Sequence, residues 1–187
     1  MITLLIGMQS CGSNREVSRM DPEKQTDLSG KWNDTDSRMV AEEMVNSALD
    51  HPWLTKFEEN FDGKPVVIVG VIKNKTHEHI NPQTFIKDIE REFIDRGRIR
   101  VVEGNDFRKR IREERADQQK YASEETQKEW GKELGADYMM TGVLSSIVDS
   151  YQDEKVVSYQ ANLQLTNLET NEKVWVGDKK IKKYIED

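Results

Sequence analysis

One cysteine, three histidines and four prolines are all that 187 residues contain of those types. Each scarcity removes a class of explanation. Cys11 alone can form neither an internal disulfide nor a thiolate metal cage, so stability has to come from packing. Only His77 and His79 stand close enough in sequence to share an ion, and no third ligand accompanies them. Thr76 to Ile80 is therefore read as a loop and no metal is expected. No stretch approaches the ~18 apolar residues of a membrane-spanning helix. Positive charge is scarce too: a net charge of −7 and a pI of about 5.2 argue against a phosphate-backbone partner, and no nucleic acid is expected. The sequence has no G-x-S-x-G, P-loop, paired Cys or H-E-x-x-H pattern, so neither catalysis nor a cofactor is expected. Asp34 and Asp36 are explained more simply by helix capping than by acid–base work.

What is present, 35% hydrophobic and 34% charged residues at a mean hydropathy of −0.81, fits one soluble domain with a modest core plus a tail. The domain is organised around Lys64 to Asn74, KPVVIVGVIKN. Seven consecutive residues, Val66 to Ile72, are apolar or Gly, and four are Val. That run is too short and too β-branched for a helix, and it predicts a strand buried on both faces with helices covering at least one.

Ile2 to Met8 is short and apolar and is followed by Gln9-Ser10-Cys11. This resembles the end of a bacterial lipoprotein signal peptide, in which a small residue precedes a cysteine that becomes lipidated. Residues 1–11 are thus expected to be signal-like, with Cys11 the acceptor. The alternative is an unmodified cysteine in a cytosolic chain. Gly12 to Asp27 is almost wholly polar and reads as a disordered tether, whose sixteen residues reach at most about 55 Å.

The folded part, 28–187, opens with Leu28 to Arg38. Asp34, Thr35, Asp36 and Ser37 are all capping residues, and Met39, Val40, Met44, Val45 and Leu49 recur at helical spacing, predicting a helix of about a dozen residues that stops before Pro52. Trp53, Leu54, Phe57 and Phe61 predict a second short helix. Asn81-Pro82 should start a helix striped by Phe85, Ile86, Ile89, Phe93 and Ile94 and stopped by Gly97. Ile99 to Val102 reads as a short strand. A helix bearing Phe107 and Ile111 follows, its charged Arg108 to Arg115 segment suiting a solvated face, and Asp117 to Ala122 reads as loop. Glu124 to Leu134 is expected to be helical with Trp130 and Leu134 inward.

Tyr138 to Val148 reads as a strand in which Gly142 marks a close approach or a bulge. After a charged turn at Asp149 to Lys155, Val157, Tyr159, Ala161, Leu163 and Leu165 alternate with polar residues, the pattern of an antiparallel strand with one dry face and one wet face. Lys173 to Ile181 returns beside it as a hairpin. Trp175 is either a core cap or an exposed anchor. Lys179, Lys180, Lys182 and Lys183 form a basic end, read as an edge guard or a lipid-headgroup contact. The fold class is α/β (α+β): a mixed sheet of four or five strands with helices packed on it and a C-terminal antiparallel hairpin.

The string LSGKWNDTDSRMVAEEM, Leu28 to Met44, is similar to the opening of the LpoB-type penicillin-binding protein activators, lipoproteins of the bacterial envelope. The likeness extends through Lys64 to Asn74, Leu134 to Gly142 and Lys173-Val174-Trp175, and more loosely to CsgG-like and TolB N-terminal domains. The resemblance implies a lipid-anchored periplasmic accessory protein, on the outer membrane, that binds and stimulates a bifunctional peptidoglycan synthase, a class A penicillin-binding protein, as a monomer or small complex. The alternative is a subunit of a CsgG-like export assembly. With no active site expected, function should lie in a protein interface: the wet sheet face (Gln160, Asn162, Gln164), the segment holding Trp32, Asn33 and Asp34, or Trp175.

Overall fold

The computed structural model describes residues 17–21, 24–121 and 133–186. The Cys11 acceptor, the start of the tether, and most of the helix expected over Glu124 to Leu134, Trp130 included, lie outside the described residues.

Asn33 sets the start of the first helix, α1 (Asp34–Leu49). Its side chain accepts from the Asp36 N–H at 3.0 Å while the Asp36 carboxylate accepts from the Asn33 N–H at 3.0 Å, a reciprocal capping box. Asp34 to Ser37, expected to precede the helix as caps, are therefore its first turn. α2 (Pro52–Asn60) begins at Pro52 and buries Trp53 and Leu54, while Phe61, just past its end, is exposed. β1 (Val66–Lys75) buries Val67, Val69 and Ile72. Its register against β3 (Tyr138–Tyr151) shifts between Val69 and Ile72, which turns the alternation over and puts Val71 into solvent. The expectation of burial on both faces throughout is corrected at that point.

α3 (Pro82–Arg96) matches its predicted bounds. Asn81 caps it, Gly97 ends it at φ 65°, and Phe85, Ile86, Ile89 and Phe93 face inward, while Ile94 is exposed. β2 is only Arg100–Val101. α4 (Asn105–Tyr121) runs through the segment expected to be loop, because good helix formers and i,i+4 pairs such as Gln118 with Glu114 sustain it without a buried stripe. Beyond it, Leu134 is exposed rather than inward. β4 (Glu154–Asn167) and β5 (Lys173–Glu186) complete a five-stranded sheet in the order β2-β1-β3-β4-β5, with parallel pairing around β1 and antiparallel pairing from β3 onward. The expected charged turn shrinks to Gln152-Asp153, since the ladder carries Asp149 to Tyr151 as strand.

α1 and α3 pack on one face of this sheet, over β4, β5, β1 and β2. The dry residues of β4, from Val157 to Leu165, are at most 3% exposed beneath them, and each buried aliphatic contributes on the order of 2 kcal/mol. The opposite face of β3, β4 and β5 has no helix packed on it among the described residues.

Candidate interaction surfaces

The predicted site residues divide between two surfaces and the core. Trp175 belongs to the core. It is 3% exposed and its indole N–H donates to Ser47 Oγ at 3.3 Å, the core placement among the two readings.

Trp32, Asn33 and Asp34 lie on the helix side, where the chain enters the domain. The half-buried Trp32 ring sits edge-on to Phe85 and Tyr159, at centroid distances of 6.1 and 5.6 Å. Its backbone N–H donates to Glu78 Oε2 at 3.2 Å, and the Tyr159 hydroxyl donates to Glu78 Oε1. Burial, reinforced by that carboxylate, pushes the Tyr159 phenol well above the usual tyrosine range. In a spectrophotometric alkaline titration it should ionise later than an unperturbed tyrosine. Tyr159→Phe should abolish that late step and lower stability by about 1.5 kcal/mol, as loss of a hydrogen bond to a charged group does. An unchanged titration curve would contradict the geometry.

Asn33 Nδ2 donates to Asp27 Oδ1 at 2.7 Å. Lys183, on β5, reaches Asp27 at 2.5 Å, Asp36 at 2.6 Å and the Lys31 carbonyl at 3.0 Å. The lysine opposite Asp27 holds that carboxyl below its ordinary value. Burial alone would push Lys183 down, but the bonds to Asp27 and Asp36 outweigh it and the net direction is up. Asp34 remains exposed and pairs with Arg38 at 3.7 Å. Beside this clamp is an open cleft of about 690 Å³, walled by Trp32, His77, Ile80, Phe85, Ser146 and Val148. His77 takes part in a backbone and ring contact with Ser146, and no group of three metal-ligating side chains converges among the described residues.

Gln160, Asn162 and Gln164 project from the opposite, open face of β4, half exposed, with Gln160 Nε2 donating to Asn162 Oδ1 at 2.9 Å. They and the Trp32 loop are thus separated by the thickness of the sheet and do not form one site. Around them lie Thr141, Val143 and Ser145 of β3, Val71 and Lys73 of β1, and Val176 of β5. A shallow hollow of about 400 Å³ runs among these side chains. Residues from β1 and β5 were missed because their place beside the amides depends on strand order and on the β1 bulge.

An α+β sheet covered by helices on one side and left open on the other, with polar and apolar side chains on the open face, is the architecture these elements define. The family to which this chain belongs is LpoB, the peptidoglycan-synthase activators, whose model matches residues 36–181. Nothing matches among curated proteins. Among solved structures the chain is similar to the LpoB C-terminal domain from Salmonella enterica, at 15% identity over 78% of this chain and 98% of that one, TM-score 0.46. It is similar also to LpoB from E. coli (13% identity, 98% and 88% covered, TM-score 0.46) and to lipoprotein GNA1162 from Neisseria meningitidis (9%, 64% and 83%, TM-score 0.42).

Proposed function

We propose that this protein is a lipid-anchored activator of a bifunctional peptidoglycan synthase of the class A penicillin-binding type, held on the periplasmic side of the outer membrane through Cys11. The family match over residues 36–181 carries the activator reading. The anchor rests on the signal-like residues 1–11, and residues 12–27 serve as tether to a single domain, 28–187. Asp27, the last tether residue, is bonded to Lys183 and Asn33, which fastens the end of the tether to the domain. No helix among the described residues is long and apolar enough to cross a membrane.

The open sheet face bearing Gln160, Asn162 and Gln164 is the docking surface in this reading, and the exposed Asp34 beside Trp32 and Asn33 marks a second contact region. Activation requires that the domain bind the synthase's working conformation more tightly than its resting one, about 1.4 kcal/mol for each factor of ten in their ratio. The protein is expected to act as a monomer or small complex. The chain from Leu28 onward, added to its cognate synthase, should raise the rate of glycan polymerisation measured with lipid-linked precursor. Demonstrated binding without any change in rate would refute activation.

A further inference from the structure

The four C-terminal lysines, a single basic end in the sequence, are sorted by strand parity into two kinds. Lys179 and Lys183 turn to the helix side, where Lys179 pairs with Glu43 and Lys183 with Asp27 and Asp36. Lys180 and Lys182 point the other way, exposed, and neither is ion-paired among the described residues. Lys73 and Lys75 of β1 share their face and are likewise exposed and without an ion pair there.

The register places these lysines around the amides. Lys75, Ser145, Gln160 and Lys180 form one row across β1, β3, β4 and β5, and Lys73, Val143, Asn162 and Asp178 form the next. In the first row lysines stand at both ends of a polar strip, about 14 Å apart across three strand spacings, and Lys182 lies one step along β5 from Lys180. Asp178 is the one acid in these rows, and the other acids of this face, Asp149, Glu154 and Glu186, lie further on, at the hairpin tip. The helix layer has the opposite bias, with eight acids against four bases on α1 and α3. In a chain of net charge −7, a local basic band is the exception.

We infer that the open face docks an acidic protein surface whose carboxylates meet Lys73 and Lys75 on one side and Lys180 and Lys182 on the other, while its polar groups pair with Gln160 and Asn162 between them. Identifying that surface as part of the synthase rests on the function proposed above. Two other occupants fit less well. A second copy laid face to face would set lysines against lysines, and like charges oppose such an interface. A lipid headgroup plane would satisfy the lysines but leave the central amides and the hollow lined by Val71, Val143 and Val176 unmatched.

The test is the affinity of the full chain for its synthase at low and moderate salt, for the wild type and for the charge reversals K73E/K75E and K180E/K182E, with K56E on α2 as a control. Wild-type affinity should fall as salt rises, and each reversed pair should bind roughly tenfold more weakly with an unchanged melting midpoint, while K56E binds normally. Should a reversal lower the midpoint, the milder K180Q/K182Q and K73Q/K75Q pairs are read instead, with a loss of about threefold. Folded variants that bind as the wild type does would overturn the inference. So would a wild-type dimer in light scattering that the reversals abolish, or binding to phosphatidylglycerol vesicles that they abolish while synthase affinity stays intact. A wild type that neither binds nor stimulates the synthase sinks the proposed function itself and this docking with it; stimulation retained in every variant sinks the docking alone.

Discussion

Gly142→Val should leave little cooperatively folded protein. Gly142 lies on β3, paired with Leu163 of β4 on one side and with Ile72 of β1, at the bulge, on the other. A Cβ built there would fall 2.5 Å from the Asn162 carbonyl oxygen and nearer still to Leu163 Cδ2. The side chain could swing away, but the carbonyl belongs to the strand backbone. Moving it breaks the β3–β4 ladder on which the core face and the open face both depend. Overpacking that side chains can absorb costs about 1–3 kcal/mol; a clash with backbone in the middle of the sheet should exceed about 3 kcal/mol, a large part of a domain's typical 5–15 kcal/mol. Urea unfolding followed by circular dichroism measures this. Gly135→Ala is the matched control: nothing lies within 4 Å of its added methyl, so its midpoint should stay within about 0.5 kcal/mol of wild type. Equal midpoints for the two variants would show that β3 and β4 do not pack as described.

Gly142 also shows where sequence reading stops. A glycine inside an apolar strand announces that something approaches closely, and that much is legible. Which neighbour approaches is settled by register, and register is a property of two strands. The same limit separates the elements that were legible from those that were not. α3 carries its own punctuation, Asn81-Pro82 at one end and Gly97 at the other, and its bounds follow from local chemistry. The dry face of β4 follows from its period of two. The hairpin tip is different. Asp149, Ser150 and Tyr151 are polar or exposed and give no strand signal, yet pairing with Val156, Lys155 and Glu154 makes them strand. α4 has a comparable origin, since helix propensity and charge pairs extend it where no apolar stripe does.

Of the candidate surface, the amides of Gln160, Asn162 and Gln164 were legible because alternation within one strand assigns them to the wet side. The lysines beside them were not. Lys73 and Lys75 lie past the bulge that inverts β1, and counting from Val67 without it would turn them toward the helices. Lys180 and Lys182 could be separated from Lys179 and Lys183 by parity alone, once Trp175 is known to be buried. Trp32 shows the reverse problem: a tryptophan in a polar stretch resembles an exposed anchor, and only the tertiary contact with Phe85 and Tyr159 reveals that much of its ring is already occupied.

Lys183→Met should cost about 3 kcal/mol. Breaking a buried ion pair by removing one partner costs about 3–5 kcal/mol, because the remaining charge is left uncompensated. Here the side chains of Lys183 and Asp36 are 9% and 4% exposed. The lower end applies, since Asp36 keeps the Asn33 N–H as a partner. The pH profile separates this ion pair from simple packing. Asp27 is depressed by Lys183, so its contribution is present above the ordinary carboxylate value of 3.8 and is lost as pH falls through the lower folded value. Lys183 is raised, so its contribution is full below the ordinary lysine value of 10.5 and is lost as pH climbs through the higher folded value. Wild-type urea midpoints should therefore form a plateau that falls at both extremes, and Lys183→Met should lower the plateau while flattening both flanks. The double variant Lys183→Met/Asp36→Asn should recover part of the loss, because it removes the stranded charge. A plateau merely displaced downward, with its flanks intact, would mean that Lys183 contributes packing alone. Flattened flanks would mean that ionic contacts to β5 hold the last residue of the tether to the domain.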